Sequence, residues 1–373
     1  MLTKAIHLID STLRDGEQAP GVVFSQKEKL QIAQLLDEAG IPEVEVGAPA
    51  IGAQEVEDIR VIGKEGFHFK TVAWCRATMK DLEAAGKCAT NGVNISFPVS
   101  DIHLKAMGKD RQWIMKTMPK LMQYARDHFE YIAIGAQDAS RTEYSFLYDY
   151  MSEAMQQGAC RIRIADTVGI LNPVSTATLF QKIRSHFPEI SIEFHGHNDL
   201  GMATANTFMA LSSGADAASV TVNGLGERAG NAALEEVVMA LELSSVIQHN
   251  IKTTVLSRLS KLVSEASGRM LAEDKPITGG KVLSHESGVH TNSLLKDRRT
   301  YQIIDAASIG SEEGEFVFGK HSGRHALISF LQSKSIFLTR EESNEILNEI
   351  KEISAQWKRA LSPDEVEYLY MNM

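Results

Sequence analysis

The chain is short of cysteine, of basic tracts and of long apolar runs, and each shortage removes a class of function. Its three cysteines, Cys75, Cys88 and Cys160, are odd in number and widely spaced, which argues against a disulfide framework. No apolar run reaches the length of a membrane span, and the opening Met1-Leu2-Thr3-Lys4-Ala5-Ile6-His7 lacks the apolar core of a signal peptide. A reduced cytoplasm is the expected location. Asp and Glu number 48 against 38 Lys and Arg, giving a formal net charge of −10. Without basic tracts, neither nucleic acid nor an anionic membrane is expected as partner, whereas a small acidic substrate in a locally positive pocket is compatible with that balance. What is present is ordinary: 43% hydrophobic and 23% charged residues over 373 positions, ample for a large core.

Eight short apolar or β-branched runs recur, at residues 5–9, 43–47, 69–74, 93–98, 131–135, 161–165, 190–194 and 217–222. Helix-like stretches separate them. In 25–39, for example, Leu30, Ala33 and Leu36 mark an apolar face, and Gln26, Lys27, Glu28 and Lys29 are expected outside. Strand then helix, repeated, implies a parallel sheet. Starts spaced by roughly 24 to 38 residues, eight times over, predict an α/β fold of the (β/α)8 TIM-barrel type. No Gly-x-Gly-x-x-Gly follows the first run, which disfavours a dinucleotide fold.

In such a barrel the chemistry gathers at the C-terminal strand ends. Those ends carry Arg14 and Asp15, Glu45 and Gly47, Trp74 and Arg76, Gln137 and Asp138, Asp166 and Thr167, His195 and His197, and Asn223. Two histidines at i and i+2 on a strand share a face, so one cation can take both, and Asp15 beyond another strand can complete the set. Asp15, His195 and His197 are therefore read as a divalent-metal site. Two imidazoles and a carboxylate suit zinc, manganese or magnesium alike. Asp138 and Asp166 are expected to cap or orient rather than to react.

Three segments carry a specific resemblance: Asp10-Ser11-Thr12-Leu13-Arg14-Asp15-Gly16-Glu17-Gln18-Ala19-Pro20-Gly21, Glu193-Phe194-His195-Gly196-His197-Asn198-Asp199-Leu200-Gly201, and Gly224-Leu225-Gly226-Glu227-Arg228-Ala229-Gly230-Asn231. They resemble the signatures of the DRE-TIM metallolyases. With Glu286-Ser287-Gly288-Val289-His290 and Gly319-Lys320-His321-Ser322-Gly323-Arg324, the resemblance is to the acyl-CoA-condensing branch, the isopropylmalate, citramalate and homocitrate synthases, and it covers nearly the whole chain. Trp74-Cys75-Arg76, Ile170 and Leu294-Leu295-Lys296-Asp297 look most like homocitrate synthases of the nitrogen-fixation type. Length agrees, since about 50 residues after Gly323 are too few for the regulatory domain of feedback-controlled isopropylmalate synthases.

The resemblance implies a Claisen-type condensation of acetyl-CoA with a 2-oxo acid, with release of CoA. Asp15, His195 and His197 would hold the metal, and Asn231 either joins them or holds the loop. Arg14 would stabilise developing negative charge, unless it is spent in an ion pair with Glu17 or Glu45. Thr167 matches the position that holds the oxo-acid carboxylate, and Arg76 could take a distal carboxylate in a bidentate fork. His290 matches the proton-abstracting histidine, and Tyr301 the tyrosine associated with it.

One position departs from the pattern. A Glu-Asp-Ala-Ser-Arg-like motif reads Gln137-Asp138-Ala139-Ser140-Arg141 here, and an amide cannot accept a proton as a carboxylate can. Either His290 suffices, the condensation is slow, or donor or acceptor has changed. Lysine-pathway homocitrate synthases place an arginine in the stretch 131–135 for the distal carboxylate, where this chain offers only Ala133 and Ile134. The acceptor expected is 2-oxoglutarate. The alternatives are another 2-oxo acid (giving an isopropylmalate, citramalate, Re-type citrate or phosphonomethylmalate synthase), a weakly active or non-catalytic paralogue that binds metal and oxo acid, or a lyase of the wider superfamily. The domains expected are a barrel over 1–275 and a helical lid with a small C-terminal subdomain over 276–373. In that subdomain 326–332 and 340–357 read as helices, while 277–280 and 312–314 read as loops. The resemblance also implies a homodimer in which this segment serves either its own or the partner's site.

Overall fold

Charged or polar residues alternate with β-branched ones in Glu43-Val44-Glu45-Val46 and Arg161-Ile162-Arg163-Ile164, and a period of two puts one set on each face of a strand. In the computed structural model, which describes residues 6–244 and 247–372, these segments are strands of a closed eight-stranded barrel. The strands are β1 (His7–Asp10), β2 (Glu43–Gly47), β3 (Lys70–Arg76), β4 (Gly92–Pro98), β5 (Tyr131–Gln137), β6 (Arg161–Asp166), β7 (Ser191–Gly196) and β8 (Ala217–Val220). Each pairs in parallel with the next, and β8 closes on β1 from His7↔Ala217 to Asp10↔Val220. Each expected run falls on a strand, with ends shifted by a few residues; residue 5, expected to open the first, lies outside the described residues.

The apolar set faces the helices. Phe194 of β7 meets Phe180 of the helix Pro173–His186 edge-on, centroids 5.4 Å apart, and both are fully buried. The helix Gln26–Ala39 shows how the sequence sets its own limits. Ser25 accepts from the Glu28 N–H while Glu28 reaches back to Ser25, and Gly40 ends the helix in the left-handed region at φ +79°. Its buried face is Ile32, Ala33, Leu36 and Ala39, joined by Lys29. Lys29 thus lies inside, not outside as expected. Its ammonium reaches Glu55 at 2.6 Å and Glu17 at 2.8 Å, and ion pairing is what permits a lysine there.

The inward set is ionic, in place of the branched aliphatic layers common in such barrels. Arg161 binds Glu43 and, at 2.7 Å, Glu193; Arg163 binds Glu193 at 2.5 Å and Glu45 at 2.9 Å; Glu45 then holds Arg14 at 2.6 Å. A chain of buried ion pairs thereby climbs the interior from Glu43 to Arg14. Burial opposes ionisation of Glu43 and Glu45, but the guanidinium of Arg161 beside the one, and those of Arg14 and Arg163 beside the other, outweigh it and bring both carboxyls to about 2.

Residues Ala272–Met373 form a second compact unit, the first being Met1–Leu271. Its helices Arg324–Ser333, Arg340–Trp357 and Pro363–Met371 enclose a core of their own around Phe318, Leu327, Leu331, Ile346, Ile350 and Val366. Ile346, Ile350 and Ile353 pack on that core within the unit. The stretches 277–280 and 312–314 are irregular. Among the described residues no helix is long and apolar enough to cross a membrane, and all three cysteines are free.

Candidate metal centre

A turn of wide helix, Thr12–Gly16, follows β1, and its Gly16 N–H reaches the Ser11 carbonyl five residues back at 3.0 Å. It carries Arg14 and Asp15 inward and buries both. From β7 the same inward register brings Glu193 and His195, and His197 follows just past the strand end. His197 bridges Asn231 in antiparallel fashion, which sets the two side chains on the same side.

Three ligand atoms converge. His195 Nε2 lies 3.1 Å from Asp15 Oδ2 and 3.3 Å from His197 Nε2, and His197 Nε2 lies 3.9 Å from Asp15 Oδ2. Bonds of about 2.1 Å to one cation place neighbouring ligands roughly 3.0 Å apart in an octahedron and roughly 3.4 Å apart in a tetrahedron, so the triangle has the dimensions of a metal-ligand face. The donor set agrees with that fit. Asp15 Oδ2 is buried without a well-directed hydrogen bond, although His195 is close, and the two Nε2 atoms face each other at 3.3 Å, so at least one of them presents a lone pair to the space beside the carboxylate. Burial would raise the Asp15 carboxyl, yet Arg14 and the imidazoles prevail and hold it well below the usual range. Burial and then His195 push His197 down to about 4, which leaves it a neutral ligand at pH 7.

Asn231 is buried next to this set. Its Nδ2 donates to the Leu225 carbonyl at 3.0 Å, and its Oδ1 has no hydrogen-bond partner. Glycine makes room for that arrangement: a Cβ on Gly226 would stand 2.2 Å from Asn231 Nδ2. A divalent cation therefore fits Asp15, His195 and His197, and the Asn231 amide oxygen, buried without a partner, belongs to the residue bridged to His197.

The triad opens into a cavity of about 150 Å3, lined also by Arg14, Ser96, Gly135, Gln137, Arg163 and Thr167. At roughly 30 Å3 per water it holds about five, the scale of a small organic acid. Trp74, Ser96 and Gln137 are shared with a wider cavity of about 740 Å3 that Lys80, Lys109, Lys120 and Trp113 also line.

The other expected residues fall as follows. Arg14 donates to Glu45, one of the two ion-pair partners considered, while Glu17 takes Lys29 instead; its guanidinium still lies 3.4 Å from Asp15 and over the Trp74 ring. Thr167 accepts the Asp138 N–H at 2.8 Å, which leaves its own O–H to donate. Asp138 holds Arg141 and Ser100, and Asp166 accepts from the Ile170 and Leu171 N–H groups, both orienting roles. Arg76 differs from expectation. Its fork is filled by Asp81, at 2.9 and 3.0 Å, and it lines the wider cavity rather than the one with the triad. Asn223 departs too, bound to Ser260 beneath the loop. In the second unit His290, on the helix Gly288–Leu294, stacks on Tyr301 with centroids 4.0 Å apart. Sequence reasoning passed over Arg163 and Glu193, although the alternation of charge with isoleucine on β6 already required Arg161 and Arg163 to point inward.

A family model described as HMGL-like matches residues 5–263, and one described as homocitrate synthase post-HMGL domain-like matches residues 277–358. Among curated proteins the chain is 44% identical to 2-isopropylmalate synthase 2 of Caldanaerobacter subterraneus subsp. tengcongensis, over 98% of this chain and 95% of that protein. It is 41% identical to homocitrate synthase 1 of a Nostoc species, over 96% and 94%. It is 37% identical to 2-phosphonomethylmalate synthase of Streptomyces rubellomurinus, over 97% of each. Because an isopropylmalate synthase is matched along nearly its full length, chain length does not separate the acceptors. Among solved structures, HMG-CoA lyase of Bacillus subtilis superimposes with a TM-score of 0.65 at 20% identity, covering 73% of this chain and 97% of that one, a likeness of fold.

Proposed function

This chain belongs to the HMGL-like family and continues into a homocitrate synthase post-HMGL region, and on that premise we propose that it condenses acetyl-CoA with a 2-oxo acid, 2-oxoglutarate, and releases CoA. The observation that carries the reading is the Asp15–His195–His197 triangle, opening into a cavity that matches an oxo acid in size and carries two buried guanidinium groups. A divalent cation there, magnesium, manganese or zinc, supplies Lewis acidity to the ketone and fixes its orientation.

The chain's own residues supply the rest. Thr167 donates its hydroxyl to the carboxylate next to the ketone. Arg14, immobilised by Glu45, stays charged beside Asp15 and stabilises negative charge as the ketone oxygen becomes an alkoxide. His290, with Tyr301 stacked upon it, accepts the proton leaving the acetyl methyl group. The methyl carbon then bonds to the ketone carbon, and water cleaves the thioester to carboxylate and CoA thiol. Gln137, lining both cavities, orients the thioester by hydrogen bonding, and the wider cavity with its lysines takes the coenzyme arm. The working form is a cytoplasmic homodimer.

A thiol-release assay with acetyl-CoA and 2-oxo acids, run before and after chelation and metal add-back, tests this reading. Release that is lost on chelation and restored by metal is expected. Metal-dependent cleavage of a hydroxy acid to pyruvate without thiol release would make the protein a lyase, and neither reaction would leave a binding protein.

A further inference from the structure

The ion chain inside the barrel is complete at one level and incomplete at the next. Arg161 uses all three guanidinium nitrogens: Nε meets Glu193 at 2.7 Å, and the other two meet Glu43. Arg163, two residues on along the same inward face, uses two. Its Nε is held by Glu193 and one terminal nitrogen by Glu45, while the other terminal nitrogen is buried with no hydrogen-bond partner among the described residues. A buried charge-bearing donor left unpaired costs free energy that well-packed proteins avoid, unless something else fills the position. The other buried cations, Arg14, Lys29 and Arg161, are all met by carboxylates and leave no buried nitrogen without a partner among the described residues, so the shortfall is particular to Arg163.

We propose that Arg163 receives the far carboxylate of the acceptor and so makes this site select a 2-oxo dicarboxylate. Four observations converge on it. Arg163 lines the small cavity together with the metal-ligand triad. In register it stands directly opposite Gly135 of β5, where no side chain fills the space, and Ala133 stands opposite Arg161 below. The atoms nearest a Cβ at Gly135 would be the Asn94 amide oxygen and two atoms of Ser96, at 3.3 to 3.5 Å, so the wall opposite the guanidinium is polar and carries no side chain at that position. Finally, Glu45 and Glu193 clamp the group from two sides, so its remaining N–H bonds are held in a fixed direction before any ligand arrives. The positive charge absent from β5 is supplied by the neighbouring strand. Charge counting agrees: Arg14, Arg161 and Arg163 face four carboxylates, Glu43, Glu45, Glu193 and Asp15, and a divalent cation reverses the sign of that sum in favour of an anionic acceptor.

This inference rests on the oxo-acid reading, and its test separates the two. The metal-loaded full-length protein, with Arg163→Lys and Arg163→Gln, is compared on 2-oxoglutarate and on 2-oxopentanoate, the same chain without the far carboxylate. Arg161→Lys serves as control, because it damages the same ion chain one level down. Thiol release gives kcat and KM, and protection against thermal unfolding by each acid without acetyl-CoA gives a readout independent of turnover. The Arg163 variants should raise KM for 2-oxoglutarate by roughly 30- to 300-fold, with kcat within about threefold and 2-oxopentanoate little changed. Arg161→Lys should lower the melting temperature and keep the preference. If Arg163→Gln fails to fold, Arg163→Gln with Glu193→Gln removes the carboxylate it strands. Retained preference in the Arg163 variants, or equal loss in Arg161→Lys, overturns the proposal. If the wild type releases no thiol but 2-oxoglutarate protects it and Arg163→Gln abolishes protection, the role of Arg163 stands and the condensation falls. With neither release nor protection, both fall.

Discussion

Replacing Glu45 with glutamine keeps the shape of the side chain and removes its charge at the junction of the barrel's ion chain. Glu45 accepts from Arg14 at 2.6 Å, pairs with Arg163 at 2.9 Å and accepts from Ser11 at 2.7 Å, so an amide leaves two buried guanidinium groups short of a counter-charge. Its carboxyl is brought from 4.5 to about 2, and at about 1.4 kcal/mol per pH unit that is worth about 3 kcal/mol. Breaking one side of a buried pair costs a similar amount. A loss of this size should lower the melting temperature by roughly 4–6 °C. The pH dependence has a definite sign. A depressed folded-state pKa contributes stability that is fully present above about 4.5 and fades as pH falls toward about 2. The gap between wild type and Glu45→Gln should therefore be constant from pH 7 to pH 5 and narrow at pH 4 and pH 3.5, read by thermal and urea unfolding. A variant melting with the wild type at pH 7, or a gap unchanged at pH 3.5, would show that the ion chain does not stabilise the barrel.

Other consequences are as direct. Lys29→Met should cost about 3 kcal/mol in urea unfolding, because Glu55 and Glu17 lose their shared cation inside the protein; a neutral substitution would contradict the pairing. Burial, with Glu235 and Glu45 adding, raises Asp10 to about 7 against the hydrogen bonds from Thr12. The folded state then holds a proton that the unfolded chain releases near 3.8, so this group lowers stability as pH rises from about 4 through 7. Asp10→Asn should accordingly gain on the wild type in melting temperature between pH 5 and pH 8, and a constant difference would refute the assignment. Gly226→Ala should weaken divalent-metal affinity by about 10- to 100-fold in calorimetric titration, because its new Cβ displaces the Asn231 amide. Unchanged affinity would remove Asn231 from the metal's surroundings.

Much of this was legible in the sequence because barrel strands repeat on a period that a reader can follow. Eight runs gave eight strands, and two histidines at i and i+2 met Asp15 as side-chain direction requires. Three of the misses share one cause. Lys29, Arg163 and Glu193 are charged residues that fold inward, and a rule that places charge outside cannot see partners supplied by other strands and helices, such as Glu55 for Lys29 or Glu45 for Arg163. Arg76 failed in the opposite way, since Asp81, five residues on, closes its fork through a local turn that reads as nothing more than a helix start. In a barrel, the Glu-Val-Glu-Val and Arg-Ile-Arg-Ile strands do require a polar interior, a signal that the sequence itself carries.

Relatives named for isopropylmalate, homocitrate and phosphonomethylmalate all match nearly the whole chain, so choice of acceptor is the central question of function. Steady-state thiol release by the metal-loaded protein with acetyl-CoA, compared across 2-oxoglutarate, oxaloacetate, pyruvate and 2-oxoisovalerate, tests it most directly. A cavity that pairs a metal site with the unfilled guanidinium of Arg163 predicts the highest kcat/KM for 2-oxoglutarate. The highest kcat/KM for 2-oxoisovalerate, or no thiol release with any of the four, would contradict it.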